Sequence, residues 1–159
     1  MKLNYYRATD LLNSDYEKRM PEEVASLFYS YVHCNLRMFK DFGSALANED
    51  WNHVITVEND NGEILGFRYY HWQGNKNNAH FFAVVIADAI KRQGYALATF
   101  HKAVEHANTN GIRKFEITVN SEDTVERSAL FEAYKRECTL LSIQNNSFYV
   151  THMGKEFRV

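Results

Sequence analysis

Apolar positions in this chain change period several times, and each change marks an element. Leu3 to Ala8 reads as a first strand. Pro21 with Glu22 and Glu23 marks a helix start, because proline tolerates the first turn and acids favour its positive end. Val24, Leu27, Phe28, Tyr31 and Val32 then share one helical face, and a second short helix is expected with Leu36, Phe39, Phe42 and Leu46 inward. From His53 the pattern is strand-like to Glu58, turns at Asn59-Asp60-Asn61-Gly62, and returns from Glu63 to Trp72. Asn-Gly is the strongest short hairpin signal, so these two strands pair antiparallel. A polar turn, Gln73 to Asn78, leads into the apolar run Phe81 to Ile86, which reads as a buried strand.

The next stretch, Lys91-Arg92-Gln93-Gly94-Tyr95-Ala96, is a basic turn centred on glycine, and it opens onto a helical pattern of Leu97, Phe100, Val104 and Ala107. Asn110-Gly111 stops that helix. Arg113 to Asn120 alternates as a fifth strand, which a helical crossover from the fourth makes parallel to it. Another helix is expected, capped at Ser121 or Asp123, with Val125, Ala129, Ala133, Leu130 and Tyr134 on its buried side. Leu140 to Gln144 and Phe148 to Met153, joined at Asn145-Asn146, read as a closing hairpin. The expected order is β-α-α-β-β-β-α-β-α-β-β. This is an α/β chain with a mixed, mostly antiparallel sheet of about seven strands, helices on both faces, and one parallel pair near the middle.

The chain has 159 residues, 45% hydrophobic and 14% aromatic, which suits one domain over residues 1–159 with a substantial core. A net charge of −2 gives no reason to expect nucleic acid as a partner. No run approaches the roughly 18 apolar residues of a membrane helix, and the first residues lack the apolar core of a signal peptide, so a cytoplasmic protein without a membrane partner is expected. Cys34 and Cys138 match no metal or redox spacing. His101 and His106 are five apart, which misses the spacing of a metal pair on one helical face, and no metal is expected.

Strand, glycine turn and helix N-terminus form a recurring device for holding phosphate. The first N–H groups of a helix lack intrahelical partners, the dipole is positive there, and glycine lets an anion come close. Neither the P-loop pattern nor the dinucleotide fingerprint is present.

This order and these central residues resemble the GNAT superfamily of acyl-CoA-dependent N-acetyltransferases. The family's pyrophosphate motif, [RQ]-x-x-G-x-[GA], is matched by Lys91 to Ala96 at Gly94 and Ala96, with lysine at its first position. Asn61 to Phe67 is similar to the family's hairpin before the central strand, and Phe115 to Phe131 is similar to a stretch of diaminobutyrate acetyltransferases. The resemblance implies acetyl-CoA as co-substrate. Its pyrophosphate would lie against Lys91, Arg92, Gln93, Gly94, Tyr95 and Ala96, and its pantetheine arm along Val84, Val85 and Ile86. It also implies direct attack by a primary amine in a ternary complex.

Two candidate catalytic side chains follow. His80 matches the place of a general base in one branch of the family, and a neutral imidazole suits that task. An inert histidine at a strand entrance is the other reading. Tyr134 stands one turn beyond the family's tyrosine slot, which holds Phe131 here, with Thr124, Arg127 and Leu130 at the earlier positions of that pattern. It could protonate the departing thiolate or be a buried core tyrosine. For the acceptor, Tyr29, His33, Arg37, Trp72 and Tyr149 are candidates. A small-molecule amine is the expected acceptor, a protein lysine or N-terminus the alternative, and homodimerisation is common in the family. A non-catalytic acyl-CoA-binding module is the reading from another functional class.

Overall fold

The structure, a computed structural model, describes residues 1–74, 76–119, 125–142, 144–152 and 155–158. Among them, strands β1 (Lys2–Arg7), β2 (Asn52–Glu58), β3 (Ile64–Trp72), β4 (Ala79–Ile86), β5 (Lys114–Val119), β6 (Ser147–His152) and β7 (Lys155–Arg158) form one seven-stranded sheet in sequence order. β1 to β4 are antiparallel, β4 and β5 are parallel, and β6 and β7 close the sheet as a hairpin. β5 and β6 are parallel as well, a second such pair beyond the one expected. The cause is the long helix between them, which carries the chain back across the sheet as the earlier crossover does.

One face carries the short helices α1 (Ala8–Leu12), α2 (Tyr16–Arg19), α3 (Glu22–Phe28) and α4 (Cys34–Asp41), with a π turn over Tyr29–His33 joining α3 to α4. α1 and α2 were not expected from the pattern. The other face carries α5 (Tyr95–Thr109) and α6 (Val125–Ser142). Each face has its own core. Val24, Phe28, Val32, Phe67, Tyr69 and Val85 pack under α3 and α4, and Tyr70, Phe81, Phe100, Phe115, Phe131 and Phe148 pack under α5 and α6. Because both faces of β3 are covered, every residue of it is buried.

Three expectations change. Leu140 to Ser142 continue α6 instead of forming a strand, because Phe131, Tyr134, Cys138 and Leu141 sit three or four apart on one buried helical stripe. The closing hairpin is therefore one strand later, between β6 and β7. Phe42 is 83% exposed, since α4 ends at Asp41 and leaves it past the last packed turn. The caps expected at Ser121 or Asp123, and Thr124, lie outside the described residues.

Two local features set up the centre of the sheet. The β2–β3 turn is pinned as expected, with Gly62 at φ 78° and the Asn59 side-chain oxygen accepting from the N–H groups of Asn61 and Glu63. Gly66 is fixed by a close approach, because a Cβ there would come within 2.8 Å of the Val85 carbonyl oxygen. The β3–β4 register slips once, pairing Tyr69 with Ala83 and Tyr70 with Phe81, so Phe82 is an extra, bulged residue.

Candidate functional site

β4 and β5 pair over only three residues, Ala79 to Phe81 against Phe115 to Ile117. Past the Phe82 bulge β4 runs on to Ile86, and a cleft of ≈ 1080 Å³ opens beside it. This explains why Phe82, Ala83, Val84 and Ile86 are only half-buried, where the apolar run predicted full burial. The parallel pair was legible from sequence; the splay is set by the bulge, which a hydrophobic pattern does not reveal.

At one end of the cleft the chain turns through Asp88–Ile90 into the start of α5. Gly94 caps that helix at φ 87° and ψ 7°, a left-handed conformation that glycine adopts without strain. Arg92, two residues earlier, has φ 63°, which is uncommon for a residue with a Cβ. The first intrahelical bond is from Ala98 N–H to the Gly94 carbonyl, so the N–H groups of Tyr95, Ala96 and Leu97 make up the unsatisfied first turn. Nothing stands within 4 Å of where a Gly94 Cβ would project, so the turn is open on that side. Lys91 forms an ion pair with Asp88 at 2.7 Å. The open first turn of α5 and its dipole give this end positive character, beside the basic side chains of Lys91 and Arg92. Of the predicted cradle, Lys91, Arg92, Gly94, Tyr95 and Ala96 line the cleft. Gln93 is exposed and is not part of its lining. Val84, Val85 and Ile86 line it from β4.

His80 and Tyr134 lie on the same cleft. His80 sits just before the bulge, paired with His71 across the strands, and the two rings are edge to face at 5.2 Å. Its Nε2 is 3.4 Å from the Thr118 hydroxyl on β5. Burial lowers its pKa below the ordinary histidine value, opposed by Glu116, so the imidazole is neutral at pH 7. His71 beneath it is buried more deeply, which lowers its pKa to about 3. Tyr134 comes from the buried stripe of α6, and its hydroxyl accepts a hydrogen bond from Arg68 Nη2 at 2.5 Å.

The acceptor candidates fare differently. Trp72 is buried under α5, against His53 at 4.0 Å between ring centroids. Tyr29 and His33 stack on one another at 4.7 Å, Arg37 lies 4.0 Å from Asp41, and Tyr149 sits under Arg158. None of these five lines the cleft. Leu27, Tyr31 and Phe82 do, with Tyr31 and Phe82 edge to face at 6.4 Å. The helical pattern put Leu27 and Tyr31 on one face with Val24, Phe28 and Val32; in the structure Leu27 is exposed and Tyr31, in the π turn, is half-buried, and only the geometry shows that this face ends at the cleft. Arg68 is a further cleft residue that the pattern did not single out. Its signal is a lone charge inside a strand of apolar and aromatic residues, ILGFRYYHW.

Among the described residues no group of three His, Cys, Asp or Glu comes together to hold a metal. His101 instead faces Glu137 at 2.8 Å, and His106 Nδ1 lies 2.7 Å from the Tyr70 hydroxyl. Both cysteines are unpaired thiols, Cys34 exposed and Cys138 buried. No helix among the described residues is long and apolar enough to cross a membrane.

No curated protein matches the chain by sequence. Solved structures do match it at low identity. An aminoglycoside acetyltransferase from an uncultured soil metagenomic sample is 16% identical, with a TM-score of 0.55 over 86% of this chain and 91% of that one. A ribosomal-protein-alanine N-acetyltransferase from Brucella melitensis biovar Abortus 2308 is 16% identical, with a TM-score of 0.53 over 84% and 91%. An IAA acetyltransferase from Bacillus cereus ATCC 14579 is 13% identical, with a TM-score of 0.52 over 84% and 74%. At these identities the likeness is one of fold. The family model described as the acetyltransferase (GNAT) family matches residues 7–133, which hold the splayed strands, the glycine turn and α5, and the chain belongs to that family.

Proposed function

We propose that residues 1–159 form one catalytic domain, cytoplasmic, that transfers an acetyl group from acetyl-CoA to the primary amine of a small molecule. The observation that supports this most is the splayed pair β4 and β5. One cleft runs from an open helix N-terminus at Gly94, past a free strand edge, to a neutral histidine at His80. In this reading the first-turn N–H groups of α5 hold the pyrophosphate, and Val84 to Ile86 flank the pantetheine arm. A backbone N–H of β4 polarises the thioester carbonyl and stabilises the oxyanion that forms there.

The amine attacks from the end walled by Leu27, Tyr31 and Phe82. A lysine-like amine has a pKa of about 10.4, so freeing its lone pair at pH 7 costs about 4–5 kcal/mol. The amine gives that first proton to water before it attacks; His80 then takes the second, from the attacking nitrogen as the bond forms, and Tyr134 gives one to the sulfur. The apolar and aromatic character of that wall supports an acceptor with an apolar body. Aminoglycosides and ribosomal-protein alanine are the acceptors named for two of the structural relatives above, and they differ enough that neither transfers by analogy.

The test is thiol release from acetyl-CoA in the presence of arylalkylamines, polyamines, aminoglycosides and short peptides in parallel. The reading expects saturable turnover with at least one small amine. Thiol release with peptides alone would move the acceptor to protein. Acetyl-CoA binding without turnover of any amine would leave a non-catalytic acyl-CoA-binding module instead.

A further inference from the structure

Arg68 stands in the middle of β3 and is only 2% exposed. Among the described residues its partners are neutral. Nε donates to Thr99 Oγ1 at 3.2 Å, and Nη2 donates to the Ala96 carbonyl at 2.9 Å and to the Tyr134 hydroxyl at 2.5 Å. The rings of Phe81, Phe100 and Tyr134 surround the guanidinium at 5.6 to 5.8 Å. Burying a cation against neutral partners is expensive, and apolar side chains of similar volume would pack this core better. The arginine also lines the cleft, so its charge borders the space where a substrate would sit. It joins three elements that must be in register for chemistry there: β3, the first turn of α5 and the tyrosine of α6.

We propose that Arg68 is a positioning residue that sets the Tyr134 hydroxyl as the proton donor to the departing sulfur; this rests on the acetyl-transfer reading above. A guanidinium has five donors and no acceptor, so the Tyr134 oxygen must accept in this contact. The phenolic proton is then left for an acceptor on the cleft side. In the reaction, the amine nitrogen forms a bond to the thioester carbonyl carbon and its proton passes to His80. When the carbon–sulfur bond breaks, its electron pair stays on sulfur, and sulfur takes the proton of Tyr134 to become a thiol. The phenolate that remains lies against the Arg68 guanidinium until water returns a proton to it, while His80 releases its proton to water. The products are one amide and one thiol, with no net change of charge beyond the neutral amine and thioester.

The test is a double-mutant cycle on thiol release with the best amine found: Arg68→Met, Tyr134→Phe and the two together, each checked for melting temperature. Tyr134→Phe should lower kcat about a hundredfold, within the usual range for losing a positioned acid, and Arg68→Met about tenfold or more, with KM for acetyl-CoA within about threefold of wild type. Because the arginine acts through the tyrosine, the double variant should be no slower than Tyr134→Phe alone. Arg68→Lys, which keeps a donor, should recover part of the loss. If Arg68→Met does not fold, the same cycle run with Arg68→Lys decides, with its loss expected only where Tyr134 is present. Losses that multiply, an Arg68→Met kcat equal to wild type, or a fully active Tyr134→Phe would overturn the proposal while leaving acetyl transfer standing. A wild-type protein that releases thiol with no amine would overturn both.

Discussion

Helix α5 has buried polar groups beneath both of its ends, and the two ends differ in one respect. Under the N-terminal end, Arg68 and Tyr134 border an open cleft. Under the C-terminal half, His53, His106, Tyr70 and Trp72 form a filled aromatic cluster, with Tyr5 at its outer side. His53 Nδ1 lies 2.7 Å from the Tyr5 hydroxyl, and its Nε2 is buried without a hydrogen-bond partner among the described residues. Burial, helped by His106 and His71, lowers the His53 pKa to about 3, so this end is neutral. The filled cluster has the properties of packing, aromatic and uncharged. The open end keeps a cation, an unsatisfied helix terminus and a strand edge facing a cavity. Buried polarity alone therefore does not mark the site; buried polarity beside accessible volume does.

Four substitutions break or sharpen this contrast. The largest effect is expected for Gly94→Glu, which forces a side chain into a φ of 87° and puts a carboxylate where an anion would bind. Its affinity for acetyl-CoA should fall at least about a hundredfold, or about 2.7 kcal/mol, in a calorimetric titration. His80→Ala should lower kcat by about a hundredfold while sparing acetyl-CoA affinity. Since the neutral imidazole is the base and burial lowers its pKa, wild-type activity should hold as pH falls to about 6.5 and decline only below it. That acid limb should be absent in the variant.

The sealed end should answer in stability rather than turnover. His53 takes up a proton more readily unfolded than folded, so its contribution is complete above about pH 6.5 and is lost as pH falls towards 3. It accounts for up to about 1.4 kcal/mol per pH unit in that window; His71, on the opposite face of the sheet beside His80, follows the same rule. His53→Phe should flatten the acid side of the stability curve and leave kcat unchanged; a tenfold loss of kcat would mean the two ends are coupled. The smallest effect is expected for Phe42→Ser, within about 0.5 kcal/mol, because that side chain touches little.

Much of the open end could be read from the residues. Gly94 and its basic neighbours announced a helix N-terminus, and the helical crossover announced the parallel strands that flank it. The Asn-Gly turn fixed the hairpin that brings Arg68 beneath α5. Other features had no such signal. Leu140 to Ser142 could be strand or helix, because a short apolar run has no period of its own, and the helix prevailed once its stripe reached Leu141. α1 and α2, at five and four residues, are too short to show a period. The acceptor wall depends on which members of a buried stripe end at a gap, and that gap follows from one bulged residue, Phe82. Trp72 was misplaced for the same reason, since alternation along β3 places it on a face but not on the side of the sheet that opens.

Amide hydrogen exchange with and without acetyl-CoA tests the contrast between the two ends most directly. The account predicts added protection at Phe82 to Ile86 and at Tyr95 to Leu97, with Val104 to Thr109 unchanged. No protection anywhere, or protection confined to the C-terminal half of α5, would contradict it.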